Sequence, residues 1–277
     1  MATAFQKFIH APLTDLGKFA LLTFETLHSL FTIRPSFRHY LYQLHFIGVK
    51  SQAVVLVTGA FTGMVLCAQT YVQFHKVNMD TATGAVVSVA MCSELGPVIT
   101  ALMVAGRVGA AMAAELGTMK VTEQIDALRT LAAHPVDYLV VPRFLATITS
   151  LPLLTIISIF VGIGASYLVG TLLLGIDSAY YYHNLLVYTL PTDVFIGLIK
   201  AFIFGGIIAT VSCYKGLSCD QGAEGVGRAT TEAVVYSSIS LLIINFFLTL
   251  TLTRVFDTSL RGSSLKDSIK VLIHIPC

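Results

Sequence analysis

Any chemistry in this chain would turn on Glu94 and Arg107. They stand inside CSELGPVITALMVAGRVGAAMAAELG, residues 92–117, where nearly everything else is apolar or small. A carboxylate at hydrocarbon depth is expensive against lipid and normally faces a cavity or a partner chain. Three roles are open to Glu94: lining a cavity, holding a proton or ion, or accepting a buried structural hydrogen bond. Pro97 cannot donate a backbone N–H, so the helix is expected to bend or open near Glu94. Arg107, 13 positions on and on a different face, is expected to snorkel to headgroups rather than pair with Glu94.

The elements that position these residues follow from composition. Of 277 residues 55% are hydrophobic and 12% charged, with mean hydropathy +0.80. That charged fraction is about half of what a soluble domain carries, and the class is integral membrane protein. The net charge of +2 and the lack of a Lys/Arg cluster argue against nucleic acid. Spans of about 20 apolar residues are needed to cross hydrocarbon. Residues 51–74, 82–114, 144–176, 194–214 and 233–253 supply them, with a kink expected at Pro152. The fold class expected is therefore all-α, with five membrane spans. Ahead of them, residues 13–31 place Asp15, Lys18, Glu25 and Ser29 on one face and Leu13, Leu16, Ala20, Phe24, Leu27 and Phe31 on the other. That pattern suits a helix lying in the membrane interface, and no uncharged stretch there reads as a cleavable signal.

Orientation follows from Lys and Arg in the connections. Lys7, Lys18, Arg34, Arg38, Lys50, Lys120, Arg129, Arg143, Lys215 and Arg228 fall on one side, and only Lys76 on the other. The N-terminus is thus expected in the cytoplasm. Arg254, Arg261, Lys266 and Lys270 in the tail run against this count, since five crossings export them. Tyr180, Tyr181, Tyr182 and Tyr188 cluster in the outer 177–193 loop and would anchor it at the interface.

Small residues recur every four positions along the second span: Ala101, Ala105, Gly109, Ala113 and Gly117, with Gly106, Ala110 and Ala114 beside them. Gly59 and Gly63 give the first span a GxxxG. Such ridges let helices approach closely in lipid. Next comes GTMKVTEQIDALRTLAAHP, about 117–133, expected as one cytoplasmic helix stopped by Pro135. Its apolar stripe is Val121, Ile125, Leu128 and Ala132, and it could lie on the membrane or dock into a partner's groove.

Catalytic motifs are absent. GAEGVGRAT, 222–230, fails as a phosphate loop, because Arg228 and Ala229 stand where Lys and Ser/Thr are needed. Ser166 after Gly164-Ala165 lacks a histidine in the span cores to act as base. The five cysteines form no CxxC pair and read as free thiols, with no metal site.

The segments ELGPVITALMVAGRVGAAMAAELGTMKVTEQIDALR (94–129), HPVDYLVVPRFLA (134–146), GMVLCAQTY (63–71) and GRATTEAVVYSS (227–238) resemble the MlaE/YrbE permeases of MCE-type ABC transporters. The likeness runs from about residue 15 to 255. It implies an interfacial N-terminal helix (1–45), a five-span permease domain (46–254) and a tail (255–277) without an assigned role. It also implies a homodimer in a bacterial inner membrane, seated on separate ABC ATPase subunits that hold the ATP and magnesium, so that this chain has no cofactor and is not an enzyme. A ring of MCE-domain proteins on the outer side and a small STAS-domain protein are further expected partners, with phospholipid as cargo. Glu94, Ser93, Pro97, Leu66, Tyr71 and Phe74 are the candidate lipid-cavity residues. Gly117, Met119, Lys120, Thr122, Glu123, Gln124, Asp126 and Leu128 are expected to couple to the ATPase, and Gly59, Gly63, Ala105, Gly109 and Ala113 to pack helices. Family members often carry Arg directly before the Glu, whereas Ser93 stands here. The rival reading is an ATP-independent transporter or channel with Glu94 as its ion or proton site.

Overall fold

The computed structural model describes residues 2–32, 37–132 and 134–273, with the side chains of 2–13, 31–32 and 256–273 left out. Every described element is helical. An N-terminal helix α1 (Ala2–Thr32) and a short α2 (Phe37–Ile47) lead into α3 (Gln52–His75). The second crossing is α4 (Thr83–Ala90), α5 (Gly96–Val104) and α6 (Ala110–Val121), joined by five-residue π-helical turns at Met91–Leu95 and Ala105–Gly109. A short α7 (Gln124–Thr130) follows, then α8 (Val141–Leu168), α9 (Ser178–Tyr188), α10 (Pro191–Leu217) and α11 (Gly222–Ile273). Five helical stretches are long and apolar enough to cross a membrane, which places this chain among multi-pass membrane proteins.

α8 is the hub: α2, α3, α5 and α10 all pack on it. Its Pro152 sits inside an unbroken helix. Gly63 of α3 meets Gly162 of α8 so closely that a Cβ at Gly63 would overlap the Gly162 carbonyl, and Gly59 lies on Ser158 one turn earlier. Ala101, Ala105, Gly109, Ala113 and Gly117 are all buried, and Gly109 touches Ser212 of α10. The small-residue row thus serves close approach of helices. In the second row Gly106 does not pack within the chain, for it is exposed and a Cβ there would meet nothing, while Ala110 and Ala114 are half-buried.

Two segments differ from the sequence reading. Residues 117–133 are not one helix: α6 runs on to Val121, the chain turns at Thr122 and Glu123, and only Gln124–Thr130 forms α7. Glu123 makes the turn in the left-handed region at φ 58°, so the break occurs without Gly or Pro. Residues 177–193 contain a helix rather than a loop, capped where the Asp177 carboxylate accepts from the Ala179 N–H at 2.8 Å. Tyr181 within it is fully buried, and its hydroxyl donates to Ser166 Oγ at 3.2 Å, while Tyr180, Tyr182 and Tyr188 are exposed. Burial holds the Tyr181 phenol well above its usual pKa.

α1 shows the expected two faces with one reversal. Leu16, Phe24 and Leu27 are exposed, as a membrane-facing stripe should be, but Ser29 of the polar face is buried with Thr26 against the protein. Leu13 and Phe31 lie outside the described side chains. The tail's backbone continues α11 to Ile273, and Cys277 lies outside the described residues.

Candidate functional site

The π-helical turn at Met91–Leu95 is where the sequence placed its anomaly, and its cause is local. In an α-helix the N–H of residue 97 would bond the carbonyl of Ser93, but Pro97 has none to give. That carbonyl instead accepts the ammonium of Lys200 at 3.0 Å. Lys200 arrives from α10, whose Gly197 lies one turn earlier against the Cys92 carbonyl. A Cβ at Gly197 would overlap that oxygen, so glycine is what lets α10 approach the π turn.

Lys200 is fully buried and makes an ion pair with Glu94, whose side chain is 35% exposed. α11 supplies the rest: Thr249 Oγ1 accepts from Lys200 at 2.9 Å and lies 2.8 Å from Glu94 Oε1, while Asn245 Nδ2 donates to Glu94 Oε2 at 3.2 Å. Asn245 and Thr249 are four apart and therefore share a face of α11. The Thr249 hydroxyl also reaches the Asn245 carbonyl at 2.9 Å, so its single proton is shared between two acceptors. One charge pair thus ties the π turn between α4 and α5 to α10 and α11 inside apolar helices. A buried charge stays charged only when paired and hydrogen-bonded in this way.

An open apolar groove of about 410 Å³ runs along α3, lined by Phe61, Thr62, Val65, Leu66 and Gln69, with Leu95 of the π turn as its one wall outside α3. Its volume falls within the range of small-molecule sites and its walls suit hydrocarbon. Of the expected cavity residues, Leu66 lines the groove. The carboxylate of Glu94 and the carbonyl of Ser93 are joined through Lys200, and the Ser93 hydroxyl is spent on the Val89 carbonyl at 2.8 Å. Tyr71 and Phe74 are not brought here; Tyr71 stacks on His75 at 5.2 Å and packs beside Cys67 and Tyr181. Arg107 does not snorkel free, since its Nη1 donates to Ser51 Oγ at 2.6 Å.

The expected coupling residues lie at the opposite end and fall into two groups. Gly117, Met119 and Lys120 belong to the end of α6: Gly117 packs on Cys219 and Val226, Met119 joins the Leu116–Ile125–Val140 core, and Lys120 Nζ donates to the Cys219 carbonyl at 2.8 Å. Burial raises the Cys219 thiol above its usual pKa. Thr122, Glu123, Gln124 and Asp126 are exposed on the turn and α7, and Leu128 is half-buried against the same core. Asp126 pairs with Arg129 at 2.9 Å on the outer surface.

Lys200 is absent from the candidates drawn from sequence. The signal was there: an intramembrane lysine needs a partner, and Glu94 lay at matching depth. Among the described residues no group of His, Cys, Asp and Glu is placed to hold a metal ion, and Cys67, Cys92, Cys213 and Cys219 are free and buried.

Residues 40–251 match the family model for Permease MlaE. The chain belongs to the MlaE permease family. A probable ABC transporter permease of Rickettsia conorii is 47% identical over 237 residues, spanning 85% of this chain and 91% of that one. The intermembrane phospholipid transport system permease MlaE of Haemophilus influenzae is 37% identical over 237 residues, spanning 84% and 90%. The chloroplastic protein TRIGALACTOSYLDIACYLGLYCEROL 1 of Arabidopsis thaliana is 42% identical over 217 residues, spanning 76% of this chain and 60% of that protein. The chain is thus an MlaE-type ABC transporter permease, and such membership does not favour an ATP-independent channel.

Proposed function

We propose that this MlaE permease moves phospholipid between the inner and outer membranes of a bacterium, driven by ATP bound with magnesium on a separate ATPase chain. The observation that carries the reading is that one π turn supplies both Leu95, a wall of an apolar groove, and the partly exposed carboxylate of Glu94, paired with Lys200. A molecule with a polar head and apolar tails would reach from the groove past Leu95 to that carboxylate. Acyl chains would lie along Phe61, Val65, Leu66 and Leu95, with the headgroup toward Glu94 and Asn245. Ser93 leaves that headgroup without the Arg that relatives often place there, so selection would rest on Glu94, Lys200 and Asn245. The name of the Haemophilus influenzae relative supports the choice of cargo.

In this reading the α7 end faces the cytoplasm and the N-terminus lies there. The ATPase docks on Thr122, Glu123, Gln124 and Asp126, which are exposed, and motion passes through Leu128 and Ile125 into α6. A homodimer is supported by the exposed apolar face of α11, with Ile239, Ile243 and Phe246 unburied, and by the exposed Gly106. An MCE-domain ring on the outer side and a STAS-domain protein in the cytoplasm complete the assembly.

The test is purification from the native membrane with its companions, identification of those by mass spectrometry, and transfer of fluorescent phospholipid between vesicles. ATP-dependent transfer that drops with Leu66→Trp, which fills the apolar groove, and with Asp126→Arg supports the reading. Gradient-driven transfer by the chain alone, without an ATPase, overturns it.

A further inference from the structure

A second amphipathic site lies at the α7 end, away from Glu94. Two adjoining cavities of about 320 and 270 Å³ share Asp15, Tyr214 and Lys215. The first is bounded by Leu16 and Phe19 of α1 and Val211 of α10, and is apolar. The second is bounded by Asp220, Arg228 and Glu232, and is polar. Lys215 marks the border, its ammonium 4.0 Å from the centre of the Tyr236 ring and 2.8 Å from Glu232 Oε2. Glu232 also accepts from Arg228 Nε at 3.0 Å, so one carboxylate holds two cations side by side without using the terminal amino groups of Arg228. α1 closes the groove: the Tyr214 hydroxyl donates to the Asp15 carbonyl at 3.0 Å, and Phe19 meets the Tyr214 ring edge-on.

We propose that this groove binds one zwitterionic phospholipid from the leaflet at the α7 end, with its phosphate at Lys215 and Arg228, its amine at Asp15 and Asp220, and an acyl chain along Phe19 and Val211. The polar half carries both signs, which complements a phosphate joined to an amine better than a simple anion. A soluble anion would leave the apolar half unused. The groove also sits where α10 ends and α11 begins, beside the exposed apolar residues Leu16 and Phe24 of α1, which is headgroup depth for a lipid approaching sideways. The site does not rest on the transport reading, because occupancy can be measured without ATP or partners.

The experiment places the full chain in lipid nanodiscs with a phosphatidylethanolamine carrying a photoactivatable acyl chain, and maps the labelled peptides. Labels are expected around Phe19, Val211 and Tyr236. They should fall about tenfold in Arg228→Glu, the loss of a charge-assisted contact, and persist in Arg228→Lys. Ser240→Trp, which fills the apolar half, should abolish them while the chain keeps its elution volume. Unlabelled phosphatidylethanolamine should compete, and phosphatidylglycerol should compete poorly. Labelling unchanged in both Arg228→Glu and Ser240→Trp overturns the proposal. So does equal competition by inorganic phosphate, which would make the site a plain anion site, or photolabels giving way to cross-links between two copies of the chain across the groove.

Discussion

In the half of the molecule nearer α9, Lys200 has no exposed surface and divides its ammonium among Glu94, Thr249 and the Ser93 carbonyl. At the α7 end Lys215 also meets a glutamate and an aromatic ring, yet its side chain stays 21% exposed and Glu232 serves two cations. The chemistry is the same and the surroundings differ. A desolvated pair is strongly destabilising to break because the survivor is left charged in hydrocarbon. A half-open pair loses little, since the survivor is resolvated or screened. The first arrangement fixes helices, while the second can exchange one partner for a ligand. A permease gains from having the rigid pair at the π turn and the exchangeable one at the membrane surface.

The largest test of this contrast is Glu94→Gln. It should cost about 3–5 kcal/mol by leaving the fully buried Lys200 without its counter-charge, read as a lowered unfolding midpoint in detergent. Adding Lys200→Met should restore much of it, because the double variant buries no lone charge. A single-variant loss below about 1 kcal/mol would place the pair with exposed bridges and erase the contrast. Thr249→Val removes the hydroxyl between Lys200 and Glu94 while keeping the volume, and should cost about 2 kcal/mol as a lost hydrogen bond to charged groups. Equal losses for Thr249→Val in the wild-type chain and in the Lys200→Met, Glu94→Gln background would show that Thr249 acts outside the pair.

How much of this could be read from sequence differs between the two halves for physical reasons. Hydropathy locates helices, and each of the five expected spans overlaps one helical stretch able to cross a membrane, although the last helix begins at Gly222, well before residue 233. Pro97 next to Glu94 announced an opened helix, and the π turn is that opening. Lys200 could be suspected as the partner of Glu94 from its depth, but Asn245 and Thr249 could not, because they come from a helix 151 to 155 residues away whose rotation about its own axis is set by packing. The coupling segment misled for the opposite reason. Its periodicity continues smoothly through Thr122 and Glu123, and the break there uses a residue type that rarely takes positive φ.

At the α7 end, Lys215→Met should cost less than about 1 kcal/mol and the loss should shrink in high salt, because a partly exposed pair is screened. A loss matching that of Glu94→Gln would mean that the two ends handle charge alike. The same variant should also lower lipid labelling in the groove, which separates a ligand contact from a structural one.

The smallest expected effect tests whether the α7 end is a signalling surface. Glu123 holds a left-handed conformation that an L side chain adopts at a cost, its side chain makes no cap for α7, and it is exposed. Glu123→Gly should therefore leave stability unchanged or raise it by up to about 1 kcal/mol. Glu123→Val, β-branched and disfavoured at this φ, should lower it by a similar amount. If the turn matters only as a hinge, Glu123→Gln will transfer lipid as wild type does, since it keeps the conformational cost and removes only the charge. If the carboxylate meets an ATPase, Glu123→Gln and Glu123→Gly will both lower ATP-linked transfer while the unfolding midpoint holds or rises. Stability and transfer then move in opposite directions at one residue, which a purely structural turn cannot produce.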